Sequence, residues 1–195
     1  MAEKQRRKTE LTLVCGINGT GKSTWLKKNI VEKGGRVIVC TPDYSEWTDL
    51  PVTRLDPLSK IDTPHRVIYE SPRTIDTLCR TFHGGTIILD DAMAYLTFQT
   101  PEALQWIYVR HRQAGVDIYI VGHGLRQFPP RVFTFCQWLI LFNSVENFSS
   151  RRKDVREDIY NKVIEAQKRI AGKVAAGEPF YHEIILFDDQ IRGRV

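Results

Sequence analysis

Short runs of valine, isoleucine and leucine alternate along this chain with segments whose apolar residues recur every three or four positions. The runs predict strands at 11–15, 36–40, 67–69, 86–89, 117–121, 138–142 and 183–187. Most are apolar throughout, as strands covered on both faces must be, and their alternation with helical spacing implies βαβ units around a parallel sheet. Helices are predicted at 22–32, 75–82, 101–114 and 150–174. Gly34-Gly35 stops the first and Gly115 the third, while Thr100 caps the third ahead of Pro101 and Glu102. In the fourth, Val155, Ile159, Val163, Ala166, Ile170 and Val174 mark one face. Segment 41–64, with Pro42, Pro51, Pro57 and Pro64, reads as a long loop and carries no evident chemistry beyond a subunit contact.

At 195 residues the chain fits one core with a small appendage. Residues 1–10 form a flexible basic arm, 11–149 the core, and 150–195 a basic amphipathic helix and final strand completing the same domain. No apolar run approaches the roughly 20 residues of a membrane span, and the polar N-terminus lacks a secretory pattern. The expectation is a soluble, cytoplasmic protein with no membrane partner. Cys15, Cys40, Cys79 and Cys136 are widely spaced and read as buried thiols. The net charge of +5 hints at a polyanionic partner.

Residues Gly16-Ile17-Asn18-Gly19-Thr20-Gly21-Lys22-Ser23 fit G-x-x-x-x-G-K-[ST] completely. The motif stands between an apolar strand and a helix, where its glycines let main-chain NH groups surround phosphate oxygens at the positive helix end. Gly16, Asn18, Gly19, Thr20, Gly21, Lys22, Ser23 and Thr24 are therefore the expected nucleotide-binding residues, for ATP with magnesium. Lys22 would reach the β- and γ-phosphates, and the Ser23 hydroxyl would ligate the metal.

The strand ending in Asp90-Asp91 would deliver two carboxylates to the same crevice, Asp90 to the magnesium shell and Asp91 to the attacking water. The next strand ends at Gly122-His123-Gly124, and His123 is a candidate γ-phosphate sensor. Arg110 and Arg112, with Arg126 and Arg131 further on, are candidate arginine fingers for a neighbouring subunit's nucleotide.

In order and spacing these features resemble the HerA/FtsK superfamily of DNA-pumping ATPases. They are the phosphate loop, a strand leading to Thr41-Pro42-Asp43, the Asp90-Asp91 pair, the string from Arg110 to His123, and Gln127-Phe128-Pro129-Pro130-Arg131-Val132 before another strand. The viral genome-packaging branch is the nearer likeness, and the zonula occludens toxin-like phage assembly proteins are the alternative. The resemblance implies a P-loop NTPase fold with three α/β/α layers and a mostly parallel central sheet, of the additional-strand, RecA-like type. It also implies a homo-oligomeric, hexamer-type ring that moves double-stranded DNA without reading its sequence, a capsid or portal protein as partner, and a place in the host cytoplasm or on the virion. Two residues depart from the pattern: His123 stands where glutamine is usual, and Asp91 where glutamate is frequent.

Segment 150–173 holds eight basic residues against four acids, an excess that could follow a phosphate backbone or form a solvated, ion-paired face. Two other function classes remain open. One is a P-loop kinase or phosphotransferase with Arg126 and Arg131 as a lid; the other is a nucleotide-dependent switch.

Overall fold

The apolar runs become the strands β1 (Leu11–Cys15), β2 (Val37–Thr41), β3 (His65–Ile68), β4 (Gly85–Leu89), β5 (Val116–Gly122), β6 (Trp138–Leu141) and β7 (Glu183–Leu186). The structure is a computed structural model and describes residues 9–56, 58–91, 94, 106–146 and 148–187. Among these residues the strands make one sheet in the order β3-β2-β4-β5-β1-β6-β7. Every pairing is parallel except that of β6 with β7.

Both faces of the sheet are covered, which is why its strands are apolar at successive positions. Leu11, Leu13 and Cys15 point into a cluster with Ile75, Leu78, Ile107, Ile159, Val163 and Ile170. Val14 points the other way, to Leu26, Val31, Trp47 and Leu50. The result is the expected α/β/α layering. Each fully buried aliphatic side chain contributes about 1.5–3 kcal/mol through removal from water. All four cysteines are buried thiols, their ionisation suppressed chiefly by burial.

The helices depart from the sequence-based expectation at several points. The first begins as α1 (Lys22–Leu26) and continues as a π-helical turn, Lys27–Val31. Helix α2 (Pro72–Thr81) begins three residues early because Pro72 suits a first-turn position. Of the third, a π-helical turn Trp106–Arg110 and α3 (His111–Ala114) are seen, closed by Gly115 at φ 69°. The cap at Thr100, Pro101 and Glu102 lies outside the described residues. A short α4 (Val132–Phe135), which the pattern does not predict, follows.

The fourth predicted helix is delayed. Residues Phe148–Arg151 form a 3₁₀ turn, and α5 runs only from Glu157–Ala175. The cause is Arg151, whose guanidinium donates to the carbonyls of Arg126 and Phe128 and pairs with Asp154. Segment 41–64 is also more than a surface loop: Trp47, Leu50, Leu58 and Ile61 are core residues. No helix among the described residues is long and apolar enough to cross a membrane.

Two features of this topology position the site. Strand β5 lies between β1 and β4, so the residues after all three strands emerge side by side at the carboxyl edge. Strand β7 starts beside Leu141, at the carboxyl end of β6, so segment 176–182 lies on that same edge.

Candidate active site

The phosphate loop is tied to both strands that flank β1. The Gly16 N–H donates to the Gly122 carbonyl at 3.2 Å, and the Ile17 N–H to the Asn143 carbonyl at 2.9 Å. Gly16 has no room for a side chain, since a Cβ would lie 2.6 Å from that of Phe142. Gly21, at φ 93°, turns the chain into α1 with no side-chain cap, so the first-turn N–H groups are available to an anion. Thr20 is buried and donates to the Ile17 carbonyl at 2.8 Å, which stiffens the loop.

The Lys22 ammonium crosses the loop, donating to the carbonyls of Gly16 at 2.6 Å and Ile17 at 3.0 Å. Burial lowers its pKa, opposed by the field of the Asp90, Asp91 and Glu46 carboxylates. A phosphate beside it would supply the missing counter-charge.

Asn18, Gly19, Gly21, Lys22, Ser23 and Thr24 line a cavity of about 570 Å³. Asp90, Asp91 and His123 line the same cavity. The predicted site residues other than the arginines thus share one space, except Gly16 and Thr20, which act behind the loop as its supports.

The two acids differ. Asp90 is buried, its N–H donates to the Cys40 carbonyl, and its Oδ2 accepts a 2.5 Å hydrogen bond from Trp47 Nε1. Burial raises its pKa, and the Trp47 bond partly offsets this. Asp91 is half exposed, at φ 49°, with Oδ1 3.5 Å from His123 Nε2. The His123 N–H donates to Gln127 Oε1, and its Nδ1 is buried without a hydrogen-bond partner among the described residues. The candidate sensor and the second acid are therefore neighbours.

The residues fit magnesium. Ser23 and Asp90 offer hard oxygens in one cavity, and a divalent cation would offset the cost of keeping the Asp90 carboxylate buried. No group of three or more acidic, histidine or cysteine side chains that could hold a metal occurs among the described residues.

Arg110 and Arg112 are exposed and do not line this cavity. They precede Gly115 and the start of β5, whose seven residues rise roughly 20 Å to the carboxyl edge. Arg126 follows β5 and stands on the pocket's edge of the sheet, its N–H bonded to Glu146.

The cavity has a further wall, made by Thr41, Pro42, Asp43 and Glu46, that the sequence pattern does not assign to the site. Arg66 holds this wall by donating to the carbonyls of Tyr44 and Glu46. The signal was available, because segment 41–46 follows β2, which neighbours β4, at the edge where parallel sheets bind ligands. Phe180 was missed too, since nothing in the sequence places 176–182 beside the phosphate loop.

No protein-family model matches the chain, and no curated protein sequence matches it. Solved structures do. The genome-packaging NTPase of Sulfolobus turreted icosahedral virus 2, solved with AMPPCP, superposes with a TM-score of 0.72 at 16% identity, covering 93% of this chain and 94% of that one. Its complex with ATP-gammaS gives 0.64 at 18% identity, over 83% and 86%. The DNA-packaging ATPase of Sulfolobus turreted icosahedral virus gives 0.64 at 16% identity, over 93% and 94%. This chain has their fold. It is a P-loop NTPase-type α/β fold, with β5 as the additional strand between the loop strand and the acidic strand.

Proposed function

We propose that the chain is a magnesium-dependent ATPase, the subunit of a viral or mobile-element motor that translocates or packages double-stranded DNA. The observation that carries this reading is the convergence of Lys22, Ser23, Asp90, Asp91 and His123 on one cavity across three adjacent strands. The fold is shared nearly end to end with a viral packaging NTPase.

The chemistry follows from the side chains. The phosphate loop and Lys22 take the triphosphate, and Ser23 with Asp90 would hold magnesium, which supplies charge neutralisation at the transferred phosphoryl group. The half-exposed Asp91 orients and deprotonates the attacking water. His123, 3.5 Å from it, links that carboxylate to the γ-phosphate position. A positioned acid beside a polar sensor supports hydrolysis over phosphotransfer, because a kinase supplies an acceptor in place of that water.

The motor would work as a hexamer-type ring, in the host cytoplasm or on the virion, with a capsid or portal protein as partner. Arg110 and Arg112 remain the finger candidates for a neighbouring subunit, joined by Arg126 on the pocket's own edge. Segment 150–173 contributes less to DNA binding than its composition suggests. Arg151, Arg152, Arg156, Arg169 and Lys173 are all in ion pairs with Asp154, Glu157, Asp158, Glu183 and Glu178.

Separating binding from turnover tests the assignment. Lys22→Ala should abolish ATP binding, whereas Asp91→Asn should bind ATP normally and lose hydrolysis by roughly 10²-fold or more. Full turnover in Asp91→Asn would remove it as the base.

A further inference from the structure

A second cavity, of about 530 Å³, adjoins the phosphate pocket. Gly21, Thr24 and Phe180 line both cavities, so they meet along those three residues. The second is walled by Trp25, Lys28 and Asn29 of the first helix, by Phe142 after β6, and by His182 before β7.

Its character is aromatic. The rings of Phe142 and His182 stack at 4.9 Å between centroids, and Trp25 meets His182 edge-on at 6.1 Å. Phe180 stands at the join. Its Cδ1 is 3.2 Å from where a Cβ on Gly21 would lie, yet 63% of the residue is exposed. An open aromatic face beside a phosphate loop is costly in water and well suited to a planar aromatic ligand.

We propose that this second cavity seats the nucleobase of the bound nucleoside triphosphate, with Phe180 as its stacking platform. The proposal rests on the reading of the first cavity as a triphosphate site. With the terminal phosphates at Lys22 and Ser23, the chain of the nucleotide leads over Thr24, which the cavities share, and the base then lies among Phe180, Trp25 and Lys28.

The lining also sets selectivity. The Asn29 amide NH₂ donates to the Trp25 carbonyl at 2.8 Å, and His182 Nδ1 lies 3.2 Å from the Phe180 carbonyl. Each of these groups has one polar atom engaged with the protein's own backbone, which leaves stacked area as the larger part of recognition. Adenine and guanine are then bound alike, and the smaller pyrimidines more weakly.

Calorimetric titration of the full chain with magnesium and ATP, GTP, CTP or inorganic tripolyphosphate tests this. ATP and GTP should bind within about tenfold of each other, since a site reading base edges through buried hydrogen bonds would separate them further. Phe180→Ala should weaken ATP and GTP about tenfold while leaving tripolyphosphate unchanged, and Phe180→Trp should restore them. Unchanged ATP affinity in Phe180→Ala, or an equal loss for tripolyphosphate, would overturn the base seat and leave the triphosphate site standing. Wild-type protein that binds neither ATP nor tripolyphosphate would overturn both.

Discussion

The indole of Trp47 donates a 2.5 Å hydrogen bond to Oδ2 of Asp90, joining the segment after β2 to the acid at the end of β4. Trp47 sits at φ 55°, and the Lys27 ammonium lies over its ring, 5.3 Å from the centroid. Trp47→Phe keeps an aromatic ring and removes the donor to a buried carboxylate, a loss of about 1–3 kcal/mol. The variant should need more magnesium for half-maximal turnover and lose roughly 2–12 °C in Tm. A magnesium titration of turnover, alongside a thermal melt, checks both effects.

Asp90 itself should show opposed effects on stability and activity. Its folded pKa is raised by burial, so the ionised carboxylate destabilises the fold at pH values above its unfolded value of 3.8. Asp90→Asn should therefore raise the Tm of the nucleotide-free protein at neutral pH, by about 2–4 °C per kcal/mol recovered. The difference should vanish near pH 3, where the wild-type side chain is protonated as well. The same variant should lose magnesium-dependent turnover.

His111 predicts a pH dependence of the opposite sign. It is fully buried, its Nδ1 bonded to the Val116 carbonyl and its Nε2 without a partner among the described residues. Burial lowers its pKa below the ordinary 6.5, opposed by the Val116 bond and Asp117, while Arg112 adds to the lowering. The unfolded chain then binds the extra proton, so stability is full above 6.5 and falls as pH drops toward the folded value. The slope approaches about 1.4 kcal/mol per pH unit within that window. Urea melts from pH 7 to pH 5 should show it, and His111→Leu should flatten it even if that variant is less stable overall.

The pairing of Asp91 with His123 carries a kinetic prediction. His123→Ala frees the carboxylate of a neighbour 3.5 Å away and removes the sensor, so turnover should fall more than ATP affinity does. His123→Gln, the residue usual in the resembled family, should retain more turnover than the alanine variant. Equal activity in all three proteins would leave His123 with no part in hydrolysis.

The chemistry legible in the sequence is the chemistry that is local in it. The loop at 16–23 and the pair at 90–91 carry their meaning in consecutive residues, and the apolar runs locate every strand to within about two residues. The order β4-β5-β1 also follows from the family likeness. What stays hidden depends on residues brought together over long separations. Arg151 breaks the fourth predicted helix because it reaches carbonyls 23 and 25 residues away. Segment 41–46 becomes a pocket wall because Arg66, on β3, binds its backbone. Phe180 reaches the phosphate loop only because β7 begins at the carboxyl end of β6, a fact of topology that no local pattern encodes.

Phosphate release measured with and without linear double-stranded DNA, alongside the native mass in ATP, decides whether this pocket drives a DNA motor. A DNA motor should show DNA-stimulated release by a ring-sized species, lost in Lys22→Ala. A strictly monomeric protein whose ATP turnover ignores DNA would contradict it.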